Sequence, residues 1–212
     1  MPLPRSFGSL APYTEEGPGT MATSIRSAPA QPLRAMPIPG QQPAIRRLAE
    51  RIERLAEVLP EPELPAAVAE ILQPFLGQAD LLDPRHTVGS ADTYRRHLLY
   101  ADPLRRFSVL ALVWAQGQQT PVHGHTAWGA VGVHQGWLEA RNFELIDTGN
   151  GLLACSERLY CEAVPGDTSW VKPGLGDIHR LACKDREGAI SIHVYGRDLS
   201  EDPGSINITL PH

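Results

Sequence analysis

Lysine is almost missing from this chain: of its 19 basic residues only Lys172 and Lys184 are lysines, the rest being arginines. Acidic residues outnumber basic ones, 24 to 19, for a formal net charge of −5. The clustered positive charge that a nucleic-acid backbone demands is therefore lacking. No apolar run approaches the roughly 18 residues of a membrane-spanning helix. Cysteine is scarce too. Cys155, Cys161 and Cys183 are an odd number and too few for a disulfide-dense secreted scaffold, so reduced thiols and a cytoplasmic location are expected. Neither a Gly-rich phosphate loop nor an alternation of strand and helix patterns is present, which sets nucleotide-binding α/β folds aside.

Proline is plentiful but unevenly placed. Nine of the 20 prolines fall within residues 1–43, a stretch with no apolar period of either 2 or 3.6 residues and hence no face to bury. It reads as a flexible extension, and its first residues, Met1-Pro-Leu-Pro-Arg-Ser, lack the apolar centre of a secretory signal. This stretch holds three arginines and two glutamates, so residues 44–212 carry about −6 and the acidic balance belongs to them.

From Ala44 onward the pattern becomes helical. Ile45, Leu48, Ile52, Leu55 and Val58 recur on one face until Pro60, and a second helix is expected over 65–75. Asp92 or Thr93 would cap a third, short helix through Tyr94-Arg-Arg-His-Leu-Leu-Tyr100. After Arg106 the segments 107–115, 129–134, 137–146, 152–162, 168–171, 178–183 and 189–195 read as strands, separated by Gly/Pro turns such as 147–151 and 173–176. The expectation is a single mainly β domain over 44–212, with a helical cap at 44–105 and a small antiparallel barrel or sandwich at 106–212.

Chemistry concentrates in two strands. In Thr120-Pro-Val-His123-Gly-His125-Thr, an extended backbone aims His123 and His125 at the same face. Neutral imidazoles at that spacing suit iron, zinc, copper or nickel. His179, in Pro173-Gly-Leu-Gly-Asp-Ile-His179-Arg, is the candidate third ligand; on its own it reads sooner as a solvent-facing histidine at a strand start. In Ala189-Ile-Ser191-Ile-His193-Val-Tyr195, alternation sets Ser191, His193 and Tyr195 against Ile190, Ile192 and Val194. Such a polar row is a hydrogen-bond relay able to orient a phenol and its proton. His86, His97, His134 and His212 have no partner pattern, and the Cys155/Cys161 spacing matches no zinc site.

Together, Gly117-x5-His123-x-His125 and the Pro-rich turn before Gly176-x2-His179 resemble the two motifs of the cupins, small metal-holding β-barrels. The glutamate most cupins carry after His-x-His is replaced by Thr126-Ala-Trp-Gly-Ala-Val, and Cys183 stands where an asparagine is usual. That departure, with Ser191-x-His193-x-Tyr195, resembles the cysteine dioxygenase family of thiol dioxygenases over roughly residues 85–197. The resemblance implies a three-histidine Fe(II) centre at His123, His125 and His179, with Tyr195, His193 and Ser191 as catalytic relay. It also implies that Arg96 (or Arg95, one residue away) grips a substrate carboxylate. The region matching the cross-linking cysteine of animal members is Gly129-Ala130, so Tyr195 is expected to be uncross-linked, as in bacterial relatives.

The implied reaction consumes O2 and a small thiol carboxylate and yields a sulfinate, both oxygen atoms ending on sulfur. Cysteine is the first candidate substrate, with 3-mercaptopropionate and mercaptosuccinate beside it; a monomer is favoured. Two other readings keep the barrel. One is a zinc or nickel cupin acting as an isomerase or hydrolase. The other is a non-catalytic module that binds a small acid.

Overall fold

The computed structural model describes residues 42–147, 153–200 and 207–210. Nearly all of the expected extension over 1–43, most of the expected turn at 147–151, and His212 lie outside these. The first helix, α1 (Pro43–Val58), opens on a proline whose missing N–H costs nothing at that position. Ala44, Ile45, Leu48, Ala49 and Ile52 form its buried stripe, and it ends at the extended Leu59 that Pro60 enforces. A second helix, α2 (Leu64–Leu72), continues as a 3-10 turn through Gln73–Phe75.

Among the described residues ten strands follow: β1 (Arg95–Ala101), β2 (Ser108–Trp114), β3 (His123–His125), β4 (Gly129–Gln135), β5 (Leu138–Asp147), β6 (Leu153–Ala163), β7 (Thr168–Val171), β8 (Gly174–Cys183), β9 (Ala189–Tyr195) and β10 (Asn207–Thr209). They form two five-stranded antiparallel sheets, ordered β1-β2-β9-β4-β7 and β10-β3-β8-β5-β6. This is the expected mainly β architecture with its helices N-terminal, the barrel-like body being two sheets that face each other. Among the described residues no helix is long and apolar enough to cross a membrane.

The first sheet has a core on each side. Its outer face, with Val109, Ala111, Val113, Ile190, Ile192 and Val194, packs under α1 and α2. Its inner face, with Leu110, Leu112, Trp114 and Tyr195, meets Leu138, Ala140, Leu181 and Cys183 of the second sheet. Burial on both faces is why β2 reads as an unbroken apolar run rather than an alternation. It also places β9 at the centre of its sheet, between β2 and β4, with every residue buried.

The expected short helix at 94–100 is instead strand β1, so the strand array begins at Arg95 rather than after Arg106. Arginine and leucine are good helix formers, and local propensity pointed that way. Pairing along β2 prevails, Arg96 opposite Leu112 and Leu98 opposite Leu110. A register shift between Leu98 and Tyr100 turns both Leu99 and Tyr100 into the core beneath the helices. Asp92, expected as a helix cap, sits instead in a local turn in which its N–H donates to Ser90 Oγ. Strand β8 likewise starts at Gly174, within the turn expected at 173–176.

Candidate functional site

His123 and His125 sit two apart on β3, and β8 brings His179 directly opposite His123 in the ladder. The three rings cluster with centroids 4.7 to 5.0 Å apart, and one nitrogen from each lies within 4.8 Å of the others. His123 and His125 are buried and His179 half-buried. The short β3–β8 spacing depends on a glycine. A Cβ on Gly124 would stand 2.4 Å from the Gly174 carbonyl oxygen, a contact no side chain adopts. Gly124→Ala should therefore spread β3 from β8, lowering the melting temperature by roughly 5 °C and weakening metal uptake. Unchanged melting and metal binding in calorimetry would contradict this.

These residues fit a cation. His123 Nδ1 lies 2.9 Å from the Pro121 carbonyl oxygen, which leaves Nε2 free as a ligand. His125 Nδ1 is buried with no hydrogen-bond partner among the described residues. All three donors are imidazole nitrogens, the set that suits iron, zinc, copper or nickel.

Burial keeps these histidine rings neutral. Desolvation holds His123 down at about 4, helped by the Arg96 charge. It pushes His125 and His179 well below the ordinary 6.5, neighbouring histidines adding to the effect. His193 is lowered to about 3 by burial and then by Arg96. On unfolding, each of these rings regains its ordinary affinity for a proton. The unfolded chain thus binds more protons below pH 6.5, and the metal-free protein loses stability as pH falls, by up to about 1.4 kcal/mol per unit per histidine. A melting temperature that drops steadily from pH 7 to 5 is expected; a flat profile would contradict it.

The relay is continuous. Ser191 Oγ lies 2.8 Å from His193 Nε2, and His193 Nδ1 lies 2.9 Å from the Tyr195 hydroxyl oxygen. Burial raises the Tyr195 phenol well above its ordinary value, so it stays protonated, although Arg96 opposes the shift. The Tyr195 ring stacks near His125 at 6.2 Å, which sets the end of the relay beside the histidine cluster.

Arg96 and Arg95 part company on β1. Arg95 is exposed, whereas Arg96 is half-buried and lines the cavity. Its Nη2 donates to the Tyr94 hydroxyl oxygen at 3.3 Å, and among the described residues it has no carboxylate partner. One cavity therefore meets the three histidines, His193, Tyr195 and Arg96. Leu112, Val131 and Leu181 form an apolar part of its remaining wall. Ser191 stands behind His193 rather than on the wall. Apart from Ser191, the expected site residues His123, His125, His179, His193, Tyr195 and Arg96 line this one cavity.

Sequence reasoning assigned no role to three further groups here. Tyr94, just before β1, lines the cavity and stacks on Trp114 with ring centroids 4.4 Å apart. Asn207 reaches the cavity because β10 pairs with β3, placing it opposite His125. Trp114 Nε1 donates to Ser191 Oγ at 2.9 Å. Tyr94 and Trp114 fall within the 85–197 stretch that carries the resemblance but have no role assigned by it, and nothing in the chain pattern marks Asn207. Cys155, Cys161 and Cys183 are free thiols, Cys183 packing in the core between the sheets.

No family model matches the chain. Among solved structures it is similar to a double-stranded β-helix protein from Klebsiella pneumoniae, at 19% identity over 59% of this chain and 93% of that one, with a TM-score of 0.41. It is also similar to a cupin 2 conserved barrel domain protein from Salinispora arenicola, at 19% identity over 57% and 89%, TM-score 0.39. An oxalate oxidase is similar at 16% identity over 64% and 66%, TM-score 0.43.

Proposed function

We propose that this chain is a cytoplasmic Fe(II)- and O2-dependent thiol dioxygenase that converts a small thiol carboxylate to its sulfinate. The observation that carries this reading is the shared cavity. Three histidine nitrogens, a buried phenol at the end of a relay and an arginine with no carboxylate partner among the described residues all face one space. His123, His125 and His179 would hold the iron, which supplies the chemistry that makes the spin-forbidden reaction of O2 with a thiolate accessible. The thiol gives up its proton, its sulfur gains two oxygen atoms and O2 is consumed whole, so no external reductant is needed.

The side chains divide the remaining work. Arg96 binds the substrate carboxylate through a charge-assisted, bidentate pair and so fixes which end of the molecule faces the histidines. An anionic thiolate brings the negative charge that a carboxylate ligand would bring elsewhere, and the all-imidazole donor set accommodates it. Tyr195, kept protonated by burial, donates a hydrogen bond into the cavity, and His193 and Ser191 hold its orientation. The apolar wall excludes water that would compete for those contacts.

Tyr195→Phe separates binding from turnover. The variant should keep its iron while kcat falls about 100-fold, the usual worth of a placed proton donor. Iron analysis alongside single-turnover kinetics checks this, and full activity in the variant would remove Tyr195 from the chemistry.

A further inference from the structure

The relay does not begin at Ser191. Trp114 ends strand β2, and the β2–β9 register pairs Trp114 with Ala189 and Leu112 with Ser191. Trp114 and Ser191 are thus diagonal neighbours on the inner face of one sheet. The indole N–H, a donor with no acceptor capacity, points at Ser191 Oγ over 2.9 Å. Trp114 is 2% exposed and Ser191 fully buried, so no solvent competes for either group.

Counting protons along this line leaves one arrangement that satisfies every group. Among the described residues Ser191 Oγ has two partners, Trp114 and His193 Nε2. The indole fills an acceptor position on Ser191, and the hydroxyl hydrogen then has His193 Nε2 as its destination. Were His193 Nε2 protonated instead, Ser191 would accept twice and its own buried hydrogen would be orphaned, at a cost of about 1–3 kcal/mol. With Nε2 accepting, a neutral His193 carries its proton on Nδ1 and donates it to the Tyr195 oxygen. The phenol hydrogen is then free to face the cavity.

We propose that the Trp114 indole is a positioning residue that sets the direction of the whole relay, so that Tyr195 presents its hydrogen to the cavity rather than to His193. The consequence for turnover rests on the dioxygenase reading; the tautomer of His193 does not. Tyr94 adds a mechanical link, its ring stacked on Trp114 and its hydroxyl accepting from Arg96. The carboxylate clamp and the start of the relay therefore share one support.

The test is the tautomer of His193, read by two-dimensional nitrogen NMR on the full-length chain labelled at histidine, both metal-free and with Zn(II) added. The wild-type ring should carry its proton on Nδ1. Trp114→Phe, which keeps an aromatic ring but loses the donor, should increase the Nε2-protonated fraction and lower kcat roughly 10-fold with metal content unchanged. In a Ser191→Ala background the same substitution should have little further effect, because the indole acts through that hydroxyl. A wild-type ring protonated on Nε2 overturns the proposal even if the variants fail to fold. So does a Trp114→Phe spectrum identical to wild type. Absence of dioxygenase activity with the tautomer as expected would instead count against the proposed reaction alone.

Discussion

Replacing His179 by alanine is expected to abolish stoichiometric metal binding and, with it, all turnover. The three ring nitrogens lie within 4.8 Å of one another, with no carboxylate among them to substitute for a missing member. Loss of an outer partner of a metal ligand already costs about 10- to 100-fold in affinity, so loss of a ligand should exceed that. The effect should be specific. His86, on the 3-10 turn Pro84–Thr87, has no part in the cluster, and His86→Ala should retain full metal content. Metal analysis of both variants after purification reads the difference directly. A His179→Ala protein with one iron per chain would remove β8 from the centre.

Arg96→Ala should act on substrate instead of metal. The chain from residue 44 onward carries about −6, which gives no general attraction for an anionic thiol acid. Capture therefore falls to the local charge in the cavity. Arg96 is half-buried there, and among the described residues its partner is a phenol oxygen rather than a carboxylate, so its charge is available to a ligand. Removing one partner of a desolvated charge pair typically costs about 2–5 kcal/mol, or roughly 30-fold to more than 1,000-fold in half-saturating concentration. Iron content should be unchanged. A thiol without a carboxylate provides the control, since the variant and wild type should handle it alike. An equal loss on both substrates would mean that Arg96 supports the fold and does not grip the ligand.

The parts of the site that were legible in the sequence are those fixed by local geometry. An i, i+2 pair in an extended chain must share a face, and this alone placed His123 beside His125 and aligned Ser191, His193 and Tyr195. The opposing row Ile190, Ile192 and Val194 left a buried strand and an edge strand both open; β9 lies buried at the centre of its sheet. Features set by pairing across the chain were not legible. The segment 94–100 carries helix-forming residues, yet β2 recruits Arg95–Ala101 as a strand and thereby turns Arg96 inward and Arg95 outward. Asn207 owes its position to β10 alone, and the Trp114–Ser191 hydrogen bond joins residues that only the β2–β9 register brings together. The directness of the His123–His179 pairing also depended on where β8 starts, earlier than the glycines of 173–176 suggested.

The most direct test measures O2 uptake and product together, using iron-loaded protein against cysteine, 3-mercaptopropionate and mercaptosuccinate, with zinc-loaded protein beside it. The proposed chemistry requires O2 consumption with at least one of these thiol acids, one sulfinate formed per O2, and neither with zinc. Iron-loaded protein that binds these thiol acids yet consumes no O2, or that consumes O2 without forming sulfinate, would contradict it.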